Sequence, residues 1–347
     1  MRENIHNRRL LRLLHLVGIV VFGGLVIQCD NPNYPSYTDL NYEIEILDQS
    51  LFGGLQDVFF INESTGYVVS GNGYIEKTVD GGQSWTQQSS GTTKSLQKIF
   101  FLTADVGFVA GGCNGTSCGG AESIILKTTD GGTSWIQLDV PTKLQIRSIF
   151  FLNEQTGFAS MLGKFISTED GGVTWSVHEY PGPTVGPVCF VNESMGYVKI
   201  PSGGRLISLD GGKSWSEDNQ NEEKILSQYL NSLSGNEKPN YTCIYYILNG
   251  TDIRSKLDDQ RNVFDAHFID EYRGFAVGWG NWNVGGFGKN FGYWNGAIHT
   301  TFDTGVSWES DMNITSMSGI YGIHFPNSRI GFAVGGGRYI LKLTILD

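Results

Sequence analysis

The stretch that decides the fold is "TVDGGQSW", residues 78–85: one acidic residue among small ones, ending on a tryptophan. The phrase returns as "TTDGGTSW" at 128–135, "TEDGGVTW" at 168–175, "SLDGGKSW" at 208–215 and "TFDTGVSW" at 301–308. A catalytic carboxylate is needed once, whereas a turn is needed in every structural unit. Recurrence therefore assigns Asp80, Asp130, Asp170, Asp210 and Asp303 to structural turns. Asp accepts hydrogen bonds from backbone N–H groups just ahead of it, and the Gly-Gly pair supplies positive φ angles. The closing Trp then has a fixed position from which to bury its ring, worth about 4–6 kcal/mol as an upper bound. A calcium loop would alternate Asp and Asn and end on Glu, which these octets do not do.

Ahead of each octet lies a second recurrent phrase: "VFFINESTGYVV" from Val58, "IFFLTADVGFVA" from Ile99, "IFFLNEQTGFAS" from Ile149 and "VCFVNESMGYVK" from Val188. "AHFIDEYRGFAV" from Ala266 and "IHFPNSRIGFAV" from Ile323 follow. Each reads as an apolar strand, a polar turn, a Gly-aromatic pair and a second strand. With the octet joining a third strand to a fourth, the unit is one four-stranded propeller blade. The expected fold is all-β, a single β-propeller. Its phrase glycines fall at 66, 107, 157, 196, 274 and 331, and the interval of 78 from 196 to 274 is twice the shortest interval of 39. A degenerate blade is expected there, around "YTCIYYILNGTDIRSKL", with Asn249-Gly250 as its hairpin turn in place of the octet and its inner strand near "KILSQYLN", a stretch that also reads as a short helix. That makes seven blades, with six plus an insertion as the alternative. The last blade lacks a fourth strand, and "NYEIEILDQ", residues 41–49, is expected to supply it and close the ring.

These phrases resemble the Asp-box (BNR-repeat) propellers, and most of all the photosystem II stability/assembly factor family and its bacterial relatives. The resemblance covers residues 42–347 and implies a non-enzymatic chaperone-like or scaffold role. The same turn occurs in sialidases, xyloglucanases and sortilin-type receptors, so the repeat carries the fold rather than a function.

Composition agrees with many short strands and tight turns: 47 Gly against 9 Pro in 347 residues. The N-terminus differs from the rest. A basic segment, the apolar run "LLHLVGIVVFGGLVIQ" and then Cys29 read as a lipoprotein signal, with Gln28 where a small residue is usual. Residues 1–29 are thus expected to be a signal ending at a lipidated Cys29, residues 30–41 a polar tether and 42–347 the propeller, held outside the cytoplasm. The alternative is an uncleaved membrane anchor. Four Arg and one Glu lie in residues 1–28, so their removal moves the formal charge from −11 to −14. Such a chain offers no electrostatic footprint for nucleic acid. Cys113 and Cys118, in "GGCNGTSCGG", are placed to close a small disulfide; Cys189 and Cys243, in apolar runs, read as buried thiols.

Function has most room where loops lengthen. From phrase glycine to octet Trp takes 19 residues in the first and fourth units but 28 from Gly107 to Trp135 and 34 from Gly274 to Trp308. Both excesses project opposite the aspartate turns. The longer, "GWGNWNVGGFGKNFGYWNG" at 278–296, holds Trp279, Trp282, Phe287, Phe291, Tyr293 and Trp294. It is either a binding platform for an envelope protein or a glycan, or a set of aromatics packed over the propeller mouth. It contains no Asp or Glu, and the seven Arg beyond residue 28 are scattered, so neither the carboxylate pair of a glycosidase nor the arginine cluster of a sialidase is found. A xyloglucanase of this repeat type resembles two tandem propellers, for which the chain is too short. Asp57 and Asp265 stand at strand starts, where solvation is their expected role, although both could face the central channel. No catalytic residue, metal site or cofactor is expected.

Overall fold

The computed structural model describes residues 41–47, 53–115, 120–179, 188–199, 205–218, 242–243, 262–270, 272–281, 294–303, 305, 307–311 and 318–346. Within them, twenty-four strands form six four-stranded antiparallel sheets. The first sheet is β2 (Leu55–Phe60), β3 (Gly66–Ser70), β4 (Ile75–Thr78) and β5 (Thr86–Gln88). The second is β6 (Leu96–Phe101), β7 (Gly107–Gly115), β8 (Gly120–Thr128) and β9 (Ile136–Gln137). The third runs β10 (Ser148–Phe151), β11 (Gly157–Met161), β12 (Lys164–Thr168), β13 (Ser176–Glu179). The fourth runs β14 (Val188–Phe190), β15 (Gly196–Lys199), β16 (Arg205–Ser208), β17 (Ser216–Asp218). The fifth is β18 (Asn262–Phe268), β19 (Gly274–Asn281), β20 (Trp294–Thr301) and β21 (Glu309–Asp311). In the sixth, β22 (Ile320–His324), β23 (Ile330–Gly335) and β24 (Ile340–Ile345) take their outer strand from the start of the chain, β1 (Tyr42–Ile46). Its register runs from Tyr42↔Ile345 to Ile46↔Leu341. The alternating N-terminal segment is thus the missing fourth strand.

The recurrent phrases are the packing code. Phe60, last residue of its inner strand, pairs with Gly66, and a Cβ on Gly66 would meet the Phe60 ring at 2.6 Å. The glycine is there so that the ring lies flat over it. The aromatic after the glycine reaches the next sheet: Tyr67 stacks on Phe101 at 4.2 Å, Phe108 on Phe151 at 3.5 Å and Phe275 on Phe325 at 4.7 Å. Phe332 of the last sheet stacks on Phe60 of the first at 3.5 Å. Each octet Trp then meets the inner-strand Phe of its own sheet edge-on, as Trp85 does Phe60 at 6.1 Å and Trp308 does Phe268 at 5.9 Å. The core is a series of aromatic layers between sheets, which is why the sheets must repeat.

The octets are closed turns. In the first, Ser84 N–H donates to Asp80 Oδ1 at 2.9 Å, Thr78 Oγ1 donates to the same oxygen at 2.7 Å, and Gly82 N–H donates to Thr78 Oγ1 at 2.9 Å. The pattern repeats around Asp130, Asp170, Asp210 and Asp303. Gly81 and Gly82 sit at φ of 74° and 87°, angles that a Cβ resists. Hydrogen bonds from Ser84, Ser134, Thr174 and Ser214 hold the carboxyls of Asp80, Asp130, Asp170 and Asp210 down at about 2.

Cys189 and Cys243, expected as separate buried thiols, form a disulfide with Cα atoms 5.7 Å apart. Cys189 holds the middle of an inner strand, the position of Phe59, Phe100 and Phe150 elsewhere. Thr242, beside Cys243, accepts a hydrogen bond at its Oγ1 from Phe268 N–H at 3.0 Å. Thr242 and Cys243 therefore link the fourth sheet to the fifth, across the interval the spacing reserves for a further blade. The expected strand around "KILSQYLN" and the turn at Asn249-Gly250 lie outside the described residues, as does Cys118 of the expected 113–118 bridge; Cys113 is itself disulfide-bonded.

Candidate functional site

All six inner strands begin on one side, opposite the octets. The two lengthened connections rise on that side, and they are strands for much of their length. β7 and β8 stay paired from Gly107↔Thr128 to Gly115↔Gly120, and β19 and β20 from Gly274↔Thr301 to Asn281↔Trp294. The expectation of a free aromatic loop from residue 278 is corrected to this extent: Gly278 to Asn281 and Trp294 to Ala297 form a ladder. Backbone bonds make it, so its glycines are no obstacle. Trp282, Phe287, Phe291 and Tyr293 lie outside the described residues, as does the side chain of Trp294.

Trp279 is half-buried and packs against Phe264 at 6.1 Å; Phe264 meets Tyr321 of the sixth sheet edge-on at 5.2 Å. Phe264 occupies a bulge between Val263 and Asp265, and an equivalent bulge in β22 carries Tyr321 between Ile320 and Gly322. A bulge re-aims a side chain out of the ladder. Phe264 is accordingly 45% exposed.

Matching bulges in β2 and β6, before Asp57 and Lys98, join that of β18 in setting a charged cluster in the channel mouth. Lys98 Nζ lies 3.2 Å from Asp57 Oδ1 and 2.9 Å from Asp265 Oδ2, so one ammonium spans carboxylates from the first and fifth sheets. Asp57 Oδ2 also accepts Ile99 N–H at 3.0 Å, and Asp265 Oδ2 accepts Ile323 N–H at 3.3 Å. Strand-start solvation is therefore not the role of these aspartates; they tie neighbouring inner strands together. Burial raises the Asp57 carboxyl to about 6, with Lys98 opposing and Asp265 adding to the rise. The sequence held the signal: two residues before the middle of each inner phrase stand Asp57, Lys98, Ser148, Pro187, Asp265 and Gly322, with charges of opposite sign in one column.

Deeper in the channel the middle residues touch in succession. Phe150 meets Phe100 at 5.5 Å, Phe100 meets Phe59 at 5.9 Å, Phe59 stacks on His324 at 4.2 Å, and His324 meets His267 at 5.3 Å. His324 Nδ1 accepts Phe60 N–H at 3.3 Å. Burial lowers His267 to about 4 and His324 well below the usual imidazole range, so both are neutral near pH 7. Among the described residues no group of three His, Cys, Asp or Glu could hold a metal ion.

The chain belongs to the photosynthesis system II assembly factor YCF48 family, whose model matches residues 35–344. Solved structures share the fold. One titled YCF48 bound to D1 peptide is 18% identical, with a TM-score of 0.52 and coverage of 89% of this chain and 98% of that one. YCF48 from Cyanidioschyzon merolae is 16% identical, with a TM-score of 0.55 and coverage of 87% and 98%. A GH74 xyloglucanase from Xanthomonas campestris is 11% identical with a TM-score of 0.54, covering 85% of this chain but 52% of the enzyme. No curated protein sequence matches the chain. Family and fold together make it a β-propeller of the YCF48 family.

Proposed function

We propose that the chain is a non-enzymatic assembly scaffold, lipid-anchored outside the cytoplasm, that engages a segment of another envelope protein on its hairpin face. The observation that carries this reading is the unequal use of the two faces. On the octet face the repeated carboxylates are occupied by their own turns. On the opposite face lie both lengthened hairpins and the exposed Phe264. Surplus chain length and exposed aromatics on one face are what recognition uses. A relative of the family solved with a D1 peptide supports a protein segment as ligand. Asp57 and Asp265, both on inner strands, are engaged by Lys98 and backbone amides rather than held apart around a scissile bond.

Two features support the location. Disulfides persist in oxidising compartments, and Cys189–Cys243 is one. The chain also enters the propeller from the octet side, where Leu346 N–H donates to Asn41 O and Ile345 N–H to Arg329 O in the turn before β23. An anchor at Cys29 would thus join the propeller through its octet side. A glycan ligand is the second reading, favoured by the aromatic surface of Phe264 and Trp279.

The test is crosslinking and affinity capture with the full chain from envelope extract, alongside a glycan array. A discrete membrane-protein partner recovered in stoichiometric amount supports the scaffold. Selective glycan binding or glycoside hydrolysis without any protein partner overturns it.

A further inference from the structure

We infer that the channel mouth receives a cationic side chain, the guanidinium or ammonium of an Arg or Lys, from an extended segment of the partner. The inference rests on the scaffold reading and specifies its chemistry. Phe264, Trp279 and Tyr321 form an aromatic corner whose rings lie 6.1 and 5.2 Å apart, with Phe264 open to solvent. Asp265 follows Phe264 directly in the chain. Gly322 follows Tyr321, and a Cβ there would meet Asp57 Oδ1 at 2.6 Å, so the backbone carrying Tyr321 lies against that carboxylate. Aromatic corner and carboxylates thus share one mouth.

Charge selects the occupant. Among the described residues, two carboxylates flank the Lys98 ammonium, an excess of one negative charge over these three groups when both are ionised. Aromatic faces carry negative quadrupole potential and attract cations. In a partly desolvated mouth these attractions exceed their value in bulk water. The chain as a whole carries a formal charge of −11, which favours the approach of a basic segment and opposes an acidic one. An anionic group would find Lys98 already between its two carboxylates. A neutral apolar residue would leave the excess charge uncompensated.

The test uses the detergent-solubilised full chain and two capped tripeptides, Gly-Arg-Gly and Gly-Gln-Gly, titrated by ligand-observed NMR, with a neutral cello-oligosaccharide as a third probe. The arginine peptide is expected to bind at least tenfold more tightly than the glutamine peptide. Phe264→Ala, at an exposed position, is expected to keep the parental melting temperature and weaken the arginine peptide at least tenfold. Asp265→Asn is expected to do the same to binding, and Phe264→Ala keeps the test decisive if that variant folds poorly. Equal binding of the two peptides, preference for the sugar, or an unaltered Phe264→Ala variant overturns the inference. If the parent captures a membrane-protein partner yet ignores the arginine peptide, this inference alone fails. If it does neither, the scaffold reading falls with it.

Discussion

Removing the Cys189–Cys243 bridge tests how the fourth and fifth sheets are joined. The two cysteines are 54 residues apart. Closing a loop of that length restricts the unfolded chain by roughly 4 kcal/mol in the chain-entropy treatment. For a propeller of about 300 residues, unfolding entropy scales to roughly 1.5–2 °C per kcal/mol, so the bridge corresponds to about 5–10 °C in Tm. The clean perturbation is the double change Cys189→Ala and Cys243→Ala, which leaves no stray thiol and adds no buried hydroxyl beside Cys243, 1% exposed. Melts followed by far-UV circular dichroism, with and without reductant, measure the effect. The parent in reductant should fall toward the double variant, and reductant should lower the variant by less than the parent, through the remaining bridge of Cys113. Hydrogen exchange should rise first in β14 and β18, the strands that Cys189 and Thr242 tie together. A variant melting within a degree or two of an oxidised parent would refute the reasoning, because the link between those sheets would then not depend on the bridge.

Further expectations follow from the turns, the channel and the proposed anchor. Asp130→Ala removes the acceptor of the Ser134 and Thr128 bonds and should lower Tm while leaving partner capture unchanged; loss of capture at unchanged Tm would contradict the structural role. Because the Asp80, Asp130, Asp170 and Asp210 carboxyls are depressed to about 2, their stabilisation is present above the unfolded value of 3.8 and lost as pH falls toward 2. His267, lowered to about 4 from 6.5, stabilises the fold above pH 6.5 and loses that contribution as pH falls to 4. Asp57, raised to about 6, acts in the opposite sense, its contribution fading as pH rises through 6. His267→Phe, which places there the residue found at positions 59, 100 and 150, should flatten the loss of stability between pH 6.5 and 4 in denaturant titrations; an unchanged slope would count against a buried neutral imidazole. Cys29→Ser should release the chain from membranes or stall its processing, as fractionation and mass spectrometry would show; parental protein held in the membrane without lipid would favour an uncleaved anchor.

Much of the fold was legible because it is written repeatedly. The octet announces a turn, and the Gly-aromatic pair announces a strand opposite a Phe such as Phe60 over Gly66. The alternation in residues 42–46 likewise identified an outer strand that pairs with β24. What escaped depends on which units are neighbours around the channel. Cys189 and Cys243 looked unrelated because a residue outside the strands, Cys243, meets inner-strand Cys189 across 54 positions, a proximity that sequence spacing does not show. Asp57, Lys98 and Asp265 come from three different sheets, so their clustering is visible only once the inner phrases are superposed and read down one column. The aromatic insert was read as loop because Gly and Asn dominate it. Backbone pairing is indifferent to those side chains, and the ladder continues as far as Asn281↔Trp294.

Photo-crosslinking from each face in turn tests the account most directly. A benzophenone amino acid placed at Phe264, on the hairpin face, or at Val173, 72% exposed in an octet, samples the two sides of one propeller from exposed positions. The account predicts that residue 264 crosslinks a discrete envelope-protein partner and that residue 173 does not. A partner crosslinked from residue 173 and not from residue 264 would place recognition on the aspartate turns and contradict it.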